Sequence, residues 1–238
     1  MRTPINGILG MLQCALDSFE SPKIKEFVTK AIKITNGLTL LTNDLLDFGQ
    51  FMNKKFNLNW DWVSLDEVLS DIESLFTFQA KKKAIKFIID NKYGNRKLIY
   101  TDEQRLKQVL YNLIGNALKF TTKGFIKISV SFQIIEQMEC IQFEVADSGQ
   151  GIKQEDIPKL FHLYGKIKQS DPNVNKNGVG LGLYNCKFIL ISLNPEMKGK
   201  VIQVESKENQ GTIFKFYLKK EKQSPENHED DNEVSFRG

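Results

Sequence analysis

Several things are scarce in this chain of 238 residues. Its three cysteines, Cys14, Cys140 and Cys186, are an odd and scattered set, which argues against a disulfide framework and fits a reducing compartment. Its two histidines, His162 and His228, are too few for a multi-histidine metal site. No apolar run approaches the roughly 20 residues of a membrane span, and Met1-Arg2-Thr3-Pro4 does not read as a signal peptide. Charge of one sign is also lacking. Lys plus Arg number 33 against 29 Asp plus Glu, a net of +4, too little to point to nucleic acid or a membrane surface. What remains, 41% AVILMFWYC residues and 26% charged, suits an ordinary globular chain of one substantial domain plus a smaller one.

The pattern reads as α+β in three zones: a helical hairpin over 1–52, a mixed strand and helix region over 53–218, and a polar, aperiodic tail over 219–238. In the hairpin, Ile5, Ile8, Leu12 and Ala15 mark one face of a first helix over about 4–18. Ile24, Phe27, Ala31, Ile34, Leu38, Leu41, Leu45 and Phe48 mark a heptad seam on a second helix over about 24–50. Ser21-Pro22 supplies an N-cap and a first-turn proline. The first helix spans roughly 22 Å and the second roughly 40 Å, at about 1.5 Å per residue. Leu38, Leu41, Leu45 and Phe48 are then left without a partner from this chain. The wide stripe predicts dimerisation into a four-helix bundle, and the short first helix suggests a physical unit that begins upstream of Met1.

In the second zone the strand candidates are Phe56–Trp62, Ile85–Lys92, Leu98–Thr101, Phe125–Phe132, Cys140–Ala146, Val201–Ser206 and Thr212–Leu218. The helix candidates are Ser64–Ala80, Asp102–Lys119 and about Leu183–Leu193. Paired strands with helices spread between them predict one mixed sheet with helices on one face, not a regular parallel α/β alternation. Cys14, Cys140 and Cys186 read as small core residues.

Three stretches carry chemistry. On the helix over 102–119, Leu106, Val109, Leu110, Leu113 and Ala117 form a buried stripe, and Arg105, Gln108, Asn112, Asn116 and Lys119 a second, polar one. A merely solvated face holds Lys and Glu, whereas Asn costs stability in mid-helix. An amide oxygen is a hard ligand suited to Mg2+, which binds phosphates, and a lysine one turn on can contact the same phosphates. The second stretch is the strand ending Asp147-Ser-Gly149-Gln-Gly151. It is either an ordinary turn or an acid that accepts from an exocyclic amine, with glycines that let the backbone approach a flat ring. The third is Gly178-Val-Gly180-Leu-Gly182-Leu183 before a helix, an anion site in waiting. Its spacing matches neither the dinucleotide fingerprint nor the P-loop. The polar run over 165–177 ahead of it reads as a lid or a plain surface loop.

The order of these pieces resembles the sensor histidine kinases of two-component systems over about residues 1–218. Asn112-Leu-Ile-Gly-Asn116-Ala-Leu-Lys119-Phe120-Thr121 resembles the family's asparagine box, and Asp147-Ser-Gly149-Gln-Gly151-Ile152 its first glycine box. Leu160-Phe161-His-Leu-Tyr164 resembles the phenylalanine box, with tyrosine where phenylalanine is usual, and Gly178-Val-Gly180-Leu-Gly182-Leu183 the second glycine box. Asn209-Gln-Gly211-Thr212-Ile-Phe214 resembles the last glycine motif, with Asn209 in place of its first glycine. Arg2-Thr3-Pro4-Ile5-Asn6-Gly7 is similar to the segment that follows the phosphoacceptor histidine.

The resemblance implies a helical hairpin followed by a two-layer α/β sandwich of the histidine kinase, gyrase and Hsp90 type, with ATP and Mg2+ as ligands. It implies that Asn116 holds Mg2+ and that Asn112 and Lys119 contact phosphates. Asp147 reads the adenine amine, with Gly149 and Gly151 in its turn. Gly178, Gly180, Gly182 and Leu183 close over the phosphates, and Thr212 supports the adenine end. The implied activity is transfer of the γ-phosphoryl group to a histidine, then to a response regulator or phosphotransfer protein, by a cytoplasmic homodimeric module without a nucleic-acid partner. Hydrolysing relatives carry a glutamate where Asn112 stands, and a neutral amide cannot act as a base, so Asn112 disfavours a gyrase-like or Hsp90-like ATPase. The family's histidine falls two residues before Met1. His162 and His228 lack the R-T-P context, so the alternative is an ATP-binding regulatory or scaffold module without autokinase activity.

Overall fold

In a computed structural model, described over residues 2–53, 55–94, 98–163, 180–197 and 200–220, two units are distinguished. One comprises Met1–Phe56 with Leu163–Asn185, the other Asn57–His162 with Cys186–Gly238. The lid over 165–177, Tyr164, Gly178 and the tail beyond Lys220 lie outside the described residues.

The first unit holds α1 (Arg2–Ser18) and α2 (Pro22–Met52), packed on each other. Pro22 occupies the first turn of α2 as expected, but the Ser21 side chain makes no capping bond. Along α2 the hydroxyls of Thr29, Thr35, Thr39 and Thr42 each donate to the carbonyl four residues back, a pattern that bends helices gently. Leu38 is 50% exposed and Leu45 54%, as the helix lengths predict, but Ile24, Phe27 and Ile34, on the half that the first helix is expected to cover, are exposed as well. Phe48 departs from that expectation: its ring faces Tyr184 at 5.9 Å. Cys14 is exposed, which corrects its assignment to the core; Cys140 and Cys186 are buried.

The second unit is α+β. Its main sheet contains β2 (Ile85–Asn91), β4 (Gly124–Ile135), β5 (Met138–Asp147), β6 (Ile202–Lys207) and β7 (Gly211–Lys219). The order is β2-β4-β5-β7-β6, with β2 parallel to β4 and the other pairs antiparallel. The expected single sheet is in fact two: β1 (Asp61–Ser64) and β3 (Leu98–Thr101) form a separate antiparallel pair. Trp60 and Trp62 both lean on Tyr100, at 5.5 and 5.3 Å, and this aromatic contact accounts for the strand-like look of residues 56–62.

Three helices complete the unit: α3 (Leu65–Lys82), α4 (Glu103–Phe120) and α5 (Gly182–Leu193), whose first four residues belong to the first unit. Ser64 caps α3 by accepting the Glu67 N–H, and Asp102 caps α4 by accepting the Arg105 N–H at 3.0 Å. The other Asp102 oxygen accepts the Asn59 N–H at 2.8 Å, tying the incoming chain to the helix start. The predicted apolar stripe of α4 is buried in full, with Ile114 and Leu118 added. It rests on β4 and β5, whose Ile126, Ile128, Val130, Phe143 and Val145 are closed to solvent. Phe143 and Phe216 stack across β5 and β7 at 4.9 Å.

Candidate functional site

The polar stripe of α4 lies beside the buried one, so each of its side chains is half-buried. Asn116 Nδ2 donates to Asn112 Oδ1 at 3.1 Å. The bond uses the amide nitrogen of Asn116 and leaves its oxygen as an acceptor for a hard cation. Among the described residues no group of three His, Cys, Asp or Glu side chains comes together. A divalent ion held at Asn116 would take its other ligands from water and a bound anion, the usual habit of Mg2+ with phosphates. The residues fit that group. Lys119 sits in the last turn of α4 with Nζ 4.9 Å from the centre of the Phe120 ring.

The C-terminal end of α4 meets the acid–glycine turn. Phe120 contributes one of the carbonyls a helix end leaves over, and it accepts the Gln150 N–H at 3.3 Å. A Cβ on Gly149 would stand 2.6 Å from that same oxygen. Gly151 has φ +66°, and a Cβ there would stand 2.0 Å from Lys207 O. The glycines are thus required by close approach of the protein's own backbone. Asn209 N–H donates to Gln150 O at 2.6 Å, and Asn209 has φ +61°. Asparagine tolerates this left-handed region better than other non-glycine residues, which explains why it can stand where the family has glycine.

Asp147 ends β5 opposite Thr212. Its Oδ1 accepts the Gly149 N–H at 2.8 Å and, more distantly, the Thr121 hydroxyl at 3.5 Å, and the nearby backbone N–H of Thr212 also favours its ionised form. Burial nevertheless dominates and raises its pKa above the ordinary 3.8, against the lowering effect of these donors. A raised carboxylate pKa penalises the folded state fully above the folded value and not at all below the unfolded one. Asp147→Asn should therefore melt higher than the parent chain at pH 7. The gap should close as pH falls through the raised value toward about 4, as thermal melts across that range would show; a gap that does not vary with pH would contradict it.

The structure thus brings Asp147, Gly149, Gly151 and Thr212 together at the end of α4 that carries Lys119, with Asn112 and Asn116 along the same helix. Gly180, with φ +82°, and Gly182 and Leu183, at the start of α5, belong to the first unit. Three further contributors are not marked as site residues by the sequence pattern. Thr121 is the α4 C-cap beside Asp147. Ser206 holds Thr212 through Oγ–Oγ1 at 2.9 Å. Gly211, seen in its motif but not assigned to the site, has φ +109°, with room for a Cβ only 2.0 Å from Asp147 O. The signal for Gly211 was its place before Thr212; the other two act across strands and a helix end, where spacing is mute.

Residues 101–222 match the family model described as histidine kinase-, DNA gyrase B-, and HSP90-like ATPase. The aerobic respiration control sensor protein ArcB of Escherichia coli is 32% identical over 216 residues, covering 90% of this chain and 26% of that protein. The autoinducer 2 sensor kinase/phosphatase LuxQ of Vibrio parahaemolyticus is 29% identical, covering 90% and 24%. The hybrid signal transduction protein dokA of Dictyostelium discoideum is 33% identical, covering 94% and 14%. The chain thus spans between 14% and 26% of the length of these three relatives. Among solved structures, full-length ShkA in complex with AMPPNP superposes with a TM-score of 0.70 at 26% identity, covering 94% of this chain and 45% of that one. On this fold and these matches, the chain belongs to the histidine kinase-, DNA gyrase B- and HSP90-like ATPase family, with the sensor histidine kinases, and carries their type of ATP-binding domain.

Proposed function

We propose that this chain is the core of an ATP-dependent protein-histidine kinase, passing the γ-phosphoryl group of ATP to a histidine for onward transfer to a response regulator. The observation that carries the reading is the amide pair on α4. Asn112 and Asn116 are bonded to each other, and neither can deprotonate water, so the site favours a protein acceptor over hydrolysis.

Mg2+, when bound, neutralises phosphate charge. Asn116 would hold it through Oδ1. Asn112 and Lys119 would orient the phosphates, Lys119 as a point charge at the helix end. Asp147 and Thr212 would receive the exocyclic amine of adenine beside Gly149 and Gly151. Gly178, Gly180, Gly182 and Leu183 would offer backbone N–H groups to an anion. Positioning and charge neutralisation then do the catalytic task, as is usual for phosphoryl transfer.

The exposed Ile34, Leu38 and Leu45 of α2 support pairing of two hairpins into a four-helix bundle. Among the described residues no helix is long and apolar enough to cross a membrane; the reading places the module in the cytoplasm, with a response regulator or phosphotransfer protein as its partner. The test is to incubate with γ-labelled ATP both this chain and a version with His-Glu placed directly before Met1. The extended version should take up an acid-labile, base-stable label. An extended version that binds ATP and stays unlabelled would overturn the kinase reading in favour of a purely regulatory ATP-binding module.

A further inference from the structure

Asp147, Thr212 and Ser206 form a row across three strands. Asp147 is register partner to Thr212 on β5 and β7, and Ser206 to Thr212 on β6 and β7. Directly opposed residues of antiparallel strands project their side chains on the same face, so the three polar groups stand side by side. Their protons can be counted. Ser206 Oγ accepts the Ile152 N–H at 2.9 Å and lies 2.8 Å from Gly211 O, a carbonyl that can only accept. The single Ser206 proton therefore goes to Gly211. The 2.9 Å contact between Ser206 Oγ and Thr212 Oγ1 must then be a bond from Thr212 to Ser206. With its proton committed, the Thr212 oxygen has only lone pairs left to offer. Asp147 is in the same condition: an ionised carboxylate accepts only, and its protein donors are the Gly149 N–H and the Thr121 hydroxyl.

We propose that Ser206 is a positioning residue for base selection: by taking the Thr212 proton and pinning Ile152 of the acid–glycine turn, it makes this end of the site acceptor-only. Such an edge admits an aminopurine, which donates two N–H groups, and repels an oxopurine, which brings lone pairs to the same place. The inference rests on the ATP-binding reading above and adds to it the residue that fixes the hydrogen-bond polarity. Ser206 touches no ligand itself in this account; it acts through Thr212 and through the backbone at Ile152.

The experiment compares ATP and inosine triphosphate (ITP) by calorimetric titration on the full chain, with Mg2+ present. The parent chain should prefer ATP by about 100-fold or more, since a site built for a donor rejects the analogue that lacks it. In Ser206→Ala the Thr212 hydroxyl can turn and donate, and the preference should fall about tenfold. ATP should weaken while ITP holds or tightens. Ser206→Thr keeps the hydroxyl on a side chain suited to a strand and should restore the preference. Thr212→Val, a second route to the same end, should lose it. Equal weakening of both nucleotides in Ser206→Ala would reduce Ser206 to a purely structural residue and overturn the proposal, as would an unchanged preference. A parent chain that binds both nucleotides equally well overturns the proposal while leaving nucleotide binding intact; one that binds neither removes the ATP reading itself.

Discussion

Asn116→Ala should weaken Mg2+-dependent ATP binding by roughly 100-fold or more, given that the loss of even an outer-shell partner of a metal costs 10–100-fold. Its thermal midpoint should scarcely move. Alanine is the better helix former by up to about 0.7 kcal/mol. Against this stands the bond from Asn116 to Asn112, an i, i+4 contact worth about 0.2–0.5 kcal/mol. The two nearly cancel at a half-buried position, so the shift should stay within about 2 °C. Titration with Mg2+ and with a chelator separates the assigned role from a general one. The parent should lose affinity in chelator, whereas the variant should bind equally weakly in both. Unchanged Mg2+-dependent affinity in the variant would remove Asn116 from the metal site.

The second large effect falls on a residue that never touches the nucleotide. At Gly211, φ is +109° and an added Cβ would lie 2.0 Å from the carbonyl oxygen of Asp147. Neither contact partner can yield cheaply: one is backbone held by the last β5–β7 pair, Asp147 with Thr212, and the other is at a dihedral that L side chains rarely adopt. Gly211→Ala should cost about 3 kcal/mol or more, a fall of roughly 6–12 °C in the melting midpoint for a chain of this size. Because the clash pushes directly on Asp147, ATP affinity should fall at least about tenfold even at temperatures where the variant is folded. A variant that melts lower but binds ATP as tightly as the parent would show that the Asp147–Gly211 approach is structural only.

Much of this was legible beforehand, and the reasons are physical. The stripes of α4 could be read because eighteen residues of 3.6-fold periodicity leave little ambiguity, and all five predicted apolar positions are buried. The boxes could be read because glycine, asparagine and aspartate have few alternative uses in such an order. Three features resisted. The β4–β5 hairpin runs longer than expected because its turn uses Glu136 and Gln137, at φ +49° and +68°, with no glycine or asparagine to announce it. The strand expected over 56–62 lies instead at Asp61–Ser64: Trp62 pairs with Tyr100 within it, whereas Phe56 packs against Phe51 and Trp60 against Tyr100 ahead of it. The roles of Thr121 and Ser206 depend on which distant residues lie opposite them, information that no local spacing contains.

The position of β7 has a further consequence for synthesis. This last strand does not lie at an edge; it fills the gap between β5 and β6 and delivers Phe214, Phe216, Tyr217 and Leu218 to the interior. Until it emerges, β5 has one open side, and Asp147 lacks its register partner Thr212. The ribosome needs about 4–14 s to cover the roughly 70 residues from Asp147 to Lys219, at about 5–20 residues per second. Throughout that interval a nascent chain can form the hairpin and α4 while the row of Asp147, Thr212 and Ser206 is still incomplete.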